Sequence, residues 1–313
     1  MPYNNLISRT DATAAIPEEV SRALIRSLID DAGVLGSFTS VPVARGQVRM
    51  PVLSALPVAY FVNGDTGLKQ TSEVNWANKY LNVEEIACIV PVPEAVLDDV
   101  DMDLWGEIEP LVRDAISRSL DAAVFFGANA PGSWPTSVVT AAVAAGNVIT
   151  RGTNAATAGG IAGDISDLLG TLEVDGYDAT DVIASSTYKG RLRNARNADG
   201  DRHPEVNQNA AYDATVRYPM RGLWPTGLNA AEMVALDRSH FVVGVRQDIT
   251  MKILDQAVIT DNTNAIVYNL PQQDMVAARF VFRVGWQVSN AINYDQATEA
   301  SRFPAAVLRS PAA

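Results

Sequence analysis

Between Val41 and Gly127 the chain reads as a projecting β-hairpin that leads into one long helix. Two apolar, strand-like segments flank the turn Asn63-Gly64-Asp65-Thr66-Gly67, and a β-rich return follows from Glu84 to Pro93. The helix after it spans about 20 residues, roughly 30 Å at 1.5 Å per residue, and closes at Phe125-Phe126-Gly127. A two-stranded hairpin is marginal in water by itself. Its apolar arms need a cover, and the simplest cover is another copy of the same chain. This stretch therefore speaks first of assembly.

Bulk properties agree. At 313 residues, with 48% apolar and 19% charged side chains, the chain can build one large or two ordinary domains. Its charged fraction is below the usual level of about 25%, which suits buried contacts or a large core. A net charge of −12 argues against a phosphate-gripping surface, which needs clustered Lys and Arg. The one basic run holds Lys189, Arg191, Arg193, Arg196 and Arg202. Asp199 and Asp201 dilute it, and it lacks interleaved aromatics, so a solvated loop is expected. The single cysteine, Cys88, lies in an apolar strand and reads as a buried thiol. Met1 to Thr10 lacks the apolar core of a secretory signal. No apolar run approaches the 18 or so residues needed to cross a bilayer. A soluble protein, intracellular when made, is expected, with no membrane partner.

Along the chain, residues 1–15 read as an extended arm. A helix starts at Pro17-Glu18-Glu19, shows an apolar face of Val20, Leu24, Ile25 and Leu28, and ends at Gly33. Val41 to Leu56 reads as strand interrupted by prolines, Val58 to Val62 as a short strand into the turn, and Leu81 to Val92 as the next strand. Leu104, Ile108, Leu111, Ala115, Ile116 and Leu120 set the period of the long helix, in which Pro110 introduces a kink unless regular structure begins near it. The Ala-, Gly- and Thr-rich stretch 130–160 marks a domain boundary. A helix at Ile161–Glu173, a strand at Val182–Ser185, a polar loop to Asn209, and strands at Met233–Leu236 and Phe241–Val245 follow. Two long strands, Ile249–Ile259 and Met275–Val288, are expected on either side of a polar loop, Thr260–Asn264.

Chemistry is hard to place. Asp99, Asp101 and Asp103 have the spacing that opens a calcium loop, but Leu104 replaces its glycine and Pro110 its closing glutamate. A helix-capping role fits better. His203 and His240 lack ligand-spaced neighbours. Gly159, Gly160 and Gly163 lack the lysine of a phosphate loop. No Gly-x-Ser-x-Gly elbow is present. No catalytic residue, metal ligand or cofactor site is assigned.

The order of elements resembles the major capsid proteins of tailed bacteriophages, whose Hong Kong 97 type fold is shared with encapsulin compartments. Val58-Ala59-Tyr60-Phe61-Val62-Asn63-Gly64 is similar to the family's Ala-x-Trp-Val-x-Glu-Gly segment, with Phe61 for the aromatic and Asn63 for the acid. Ile89 to Asp99 is similar to the strand and the Ser-x-Glu-Leu-Leu-x-Asp entry to the spine helix, with Pro93 where Ser is common. Leu120 to Gly127 is similar to the close of that helix, and Asp274 to Arg283 to the Val-Ala-x-Arg strand of the peripheral domain.

The resemblance implies an α+β capsid fold with an amino-terminal arm (1–40), an extended β-hairpin loop (41–80) and peripheral strand plus spine helix (81–127). It further implies an axial domain (128–245), peripheral return strands (246–292) and a carboxy-terminal segment (293–313) with a closing strand from Phe303 to Leu308. The chain is expected to assemble into hexamers and pentamers of an icosahedral shell, in a virion built in the bacterial cytoplasm. The shell encloses double-stranded DNA without sequence-specific binding. Expected partners are the chain itself, a portal, a separate scaffolding protein and a cement protein. An encapsulin compartment and a soluble oligomeric enzyme are the rival readings. Intersubunit contacts are expected at Tyr60, Phe61, Val62 and Lys69 of the loop and at Leu24 and Leu28 of the first helix. Some relatives join a loop lysine to a neighbour's asparagine. Lys69 with Asn262 or Asn264 supplies the residue types, and Asp261 or Asp274 a carboxylate, but a solvated Lys69 is the expectation.

Overall fold

The computed structural model describes residues 32–59, 61, 69, 71–99, 104–197, 199–261 and 263–312. A helical turn, α1 (Gly33–Ser37), precedes β1 (Thr39–Pro42), β2 (Gln47–Ala55), β3 (Asn75–Asn82), β4 (Glu84–Pro93), α2 (Glu94–Asp99) and α3 (Leu104–Phe126). Next come α4 (Val138–Ala145), β5 (Val148–Thr150), α5 (Ile161–Val174), β6 (Asp181–Ala184), α6 (Tyr188–Arg193), β7 (Ala210–Ala211), β8 (Ala214–Arg217) and β9 (Ala231–Leu236). The last part holds β10 (Phe241–Leu254), β11 (Val258–Thr260), β12 (Ile266–Asn269), β13 (Met275–Val288) and β14 (Ala305–Arg309).

These strands form a four-stranded sheet, β1-β10-β13-β4, and a six-stranded sheet, β5-β14-β9-β6-β8-β7. Two-stranded ladders β2-β3 and β11-β12 stand outside them. Alternation in β13 puts Ala278, Phe280, Phe282, Val284, Trp286 and Val288 on one buried face. Val112, Ile116, Leu120, Ala123 and Val124 recur at helical spacing on α3 and share a core with that face. Phe38 stacks on Phe241 with ring centroids 4.7 Å apart and tilts against Phe125 at 5.8 Å. Burial of each such ring contributes about 1.5–3 kcal/mol.

The six-stranded sheet is covered on both sides, so its central strands are apolar without alternation. Ile183, Val234, Ala305 and Val307 face the core shared with α3. Val182, Ala184, Met233, Ala235, Ala306 and Leu308 face Ile165, Leu168, Leu169 and Leu172 of α5. Buried Asp121 on α3 accepts backbone N–H groups of Gly33 and Val34 at 2.8 Å each, pinning α1 to α3.

Several local expectations need correction. Val41–Leu56 divides into β1 and β2, and Val58, Ala59 and Phe61 are not strand. The β-run 81–92 breaks at Val83 between β3 and β4. Phe241 to Leu254 is one strand, because a bulge between Val245 and Thr250 hides its continuity in the alternation pattern. The expected polar loop at 260–264 is the turn of the β11-β12 ladder. Stretch 130–160 contains α4 and β5, and the basic run begins as α6 rather than as loop. Cys88 is only half-buried at the rim of the core. Pro110 lies in the second turn of α3, which continues through it to Phe126.

Candidate assembly interface

The β2-β3 hairpin is tied to the body from its base as far as Leu53, opposite Trp76, and leaves one side open. Val83 donates its N–H to the Gly46 carbonyl at 2.8 Å, closing the base. Trp134 Nε1 donates to the Asn82 carbonyl at 3.1 Å, and Gln287 Nε2 to the Tyr80 carbonyl at 2.8 Å. Lys79 pairs with Glu299 at 3.1 Å, and Ile292 donates its N–H to the Leu53 carbonyl at 3.2 Å. Leu81 is buried against the four-stranded sheet.

The other side of β3 has little cover among the described residues. Trp76 and Tyr80 point to one face of β3 and are 68% and 46% exposed, and Phe61 beyond them is fully exposed. A second apolar outcrop lies at the far end of β10 and on β11-β12, where Met251, Ile253, Val258, Ile266 and Val267 are exposed. There β1 covers β10 only from Val242 to Val245, so the edge from Arg246 to Leu254 carries no strand among the described residues. Exposed, flat apolar edges invite pairing with another chain.

Of the residues expected at contacts, Phe61 and Lys69 are described, and both are exposed. Leu24, Leu28, Tyr60 and Val62 lie outside the described residues, as does Asn262. Asn264 is exposed in a left-handed turn, φ 62°. Asp261 accepts from Thr263 N, Thr263 Oγ1 and Ala265 N at 2.8, 2.7 and 2.9 Å. These bonds, those from Thr263 foremost, hold its carboxyl below the usual range and make it a weak base. Asp261 thus braces a turn. Trp76, Tyr80 and the β11-β12 outcrop escaped the sequence reading, although the alternation Trp76-x-Asn78-x-Tyr80 carries the signal for the first two.

No group of three or more His, Cys, Asp or Glu able to hold a metal occurs among the described residues. Tyr188, whose hydroxyl donates to Glu232 at 2.6 Å, has its pKa raised by burial and by that bond, so it stays neutral. Arg151 approaches the same carboxylate at 3.2 Å. This cluster is built to brace β9 against α6.

Comparison with known proteins gives these surfaces a context. Residues 12–293 match the model of the phage capsid family. The major capsid protein of Staphylococcus phage 80alpha is 22% identical over 293 residues, covering 92% of this chain and 86% of that protein. A solved chain from Microbacterium phage Oxtober96 superposes with a TM-score of 0.84 at 35% identity, covering 97% of this chain and 99% of the other. One from Mycobacterium phage Adephagia gives 0.84 at 31% identity, covering 97% and 98%. The chain belongs to the phage capsid family and has its Hong Kong 97 type fold.

Proposed function

We propose that this chain is the major capsid protein of a tailed bacteriophage, forming the hexamers and pentamers of an icosahedral shell around double-stranded DNA. The whole-length family match carries this reading. In it, the β2-β3 hairpin is the extended loop, and the four-stranded sheet with α3 is the peripheral domain. The six-stranded sheet with α5 is the axial domain. The amino-terminal residues, including Leu24 and Leu28, clamp a neighbour.

Physics supports the same assignment. A hairpin seated on the body by one side and carrying exposed Trp76 and Tyr80 on the other presents a contact to a neighbour. Several modest contacts per subunit, summed over a closed lattice, give high avidity without one large interface. An acidic chain also suits a container that must fill and empty without gripping DNA. The part played is structural, with no catalytic step. Portal, separate scaffolding and decoration proteins are the partners of this reading, and assembly takes place in the bacterial cytoplasm.

Sedimentation of the purified chain tests it. Megadalton assemblies are expected. A monodisperse small oligomer that persists at high concentration contradicts it.

A further inference from the structure

The six-stranded module carries exposed charge in two separated groups. Arg191 and Arg193 on α6, with Arg196 and Arg202 on the bridge that follows, are all exposed. Arg191 shares a cleft with Gly160, Ile161 and Asp164 at the amino-terminal end of α5. Glu173, in the last turn of α5, lines another cleft with Asp178 and Asp213, and all three are exposed. Ile161 and Glu173 are twelve residues apart, roughly 18 Å along the helix.

The far end of this arrangement runs against what an isolated subunit favours. A helix start carries partial positive charge and prefers acids nearby, and its end prefers bases. The acids at the start of α5 are already engaged. Asp164 accepts the N–H groups of Gly152 and Asn154 at 2.7 and 2.8 Å, and Asp167 accepts from Asn154 Nδ2 at 2.7 Å. No basic residue occupies the last turn. At that end side chains and helix dipole therefore add. The arginines have few internal partners: Arg191 lies over the Tyr188 ring at 5.3 Å, and Arg196 reaches Asn194 at 3.2 Å. Among the described residues none of the four pairs with a carboxylate. Asp199 and Asp201 offset Arg196 and Arg202 in their own turn, and Asp164 and Asp167 stay charged at the helix start. The positive excess therefore lies on α6, with Lys189, Arg191 and Arg193.

We propose that the two groups are the halves of one contact between neighbouring copies in a capsomer ring. The Arg191 and Arg193 end of one subunit receives the Glu173, Asp178 and Asp213 end of the next. The inference rests on the capsid reading above. Rings join unlike patches of identical subunits, so each copy must carry both halves of a complementary pair at separate places. Opposed charge steers encounter and penalises wrong orientation. Nucleic acid inside the shell would engage the arginines and leave the acids without a part.

Charge reversal tests it. One variant combines Arg191→Glu with Arg193→Glu; a second combines Glu173→Lys, Asp178→Lys and Asp213→Lys; a third carries all five. These positions are exposed, and circular dichroism checks that each chain folds. Each one-ended reversal is expected to lower the yield of sedimenting particles about tenfold, and the five-fold variant to recover it. Folded one-ended variants that assemble as well as wild type overturn the contact. So does a folded five-fold variant no better than the others, or an arginine variant that assembles normally but holds less nucleic acid. Wild type in the same preparation separates the two readings: if it forms neither particles nor capsomer rings, the capsid assignment itself fails.

Discussion

Gly244 and Gly285 face each other across β10 and β13, and the base of the β2-β3 hairpin rests on the bare backbone they leave. A Cβ on Gly244 would stand 2.8 Å from Leu81 Cδ2, and one on Gly285 would run into the Asn82 carbonyl oxygen. Leu81 can shift its side chain, whereas Asn82 presents backbone. Gly285→Ala is therefore expected to cost about 1–3 kcal/mol and Gly244→Ala less, read as urea midpoints. Equal stability of wild type and Gly285→Ala would show that the hairpin is not seated here.

Under the capsid reading proposed above, Trp76 on the open face of β3 serves assembly rather than folding. Trp76→Asp is expected to change subunit stability by no more than about 0.5 kcal/mol while abolishing shells in negative-stain images. Phe61→Asp should behave in the same way. Normal particles from both variants would remove the hairpin from the interface.

His240 lies at the turn joining the two sheets, with Nδ1 2.8 Å from Ser289 Oγ and its ring against Tyr177 at 4.8 Å. Burial holds its pKa below the usual 6.5, against the pull of Asp237. The unfolded chain then binds this proton more readily, so stability is full above pH 6.5 and falls as pH drops toward the folded value. His240→Gln should lose less stability than wild type between about pH 7.5 and 5.5, compared by urea midpoints. Identical losses would contradict the assignment.

Lys69 is exposed, and Asp261, the carboxylate of the turn that holds Asn264, is a weak base. An amine needs desolvation and a base to attack an amide. Boiled, denatured particles should run as one band near 33.5 kDa. A ladder lost in Lys69→Ala would establish a cross-link.

The long helix and β13 were legible because each carries a run of one period, such as Ala278 to Val288 alternating on the buried face. By contrast β14, buried without alternation, was expected only from the family resemblance. The bulge between Val245 and Thr250 resets the alternation and made one strand look like two. Short strands such as β7 and β8 owe their place to partners distant in sequence, and nothing local marks them. The exposed apolar surface was half legible: the sequence singled out Phe61, which is exposed, and passed over Trp76 and Tyr80 on β3. The opposed charges at the ends of α5 become visible only when folding brings α6 beside its start.

Electron cryomicroscopy of particles formed by the purified chain addresses the assembly claim most directly. Closed shells with five- and six-subunit capsomers, and density from one copy's β2-β3 hairpin lying on its neighbour, are the expected result. Particles whose hairpins contact only their own subunit, or discrete small rings that never close, would contradict it.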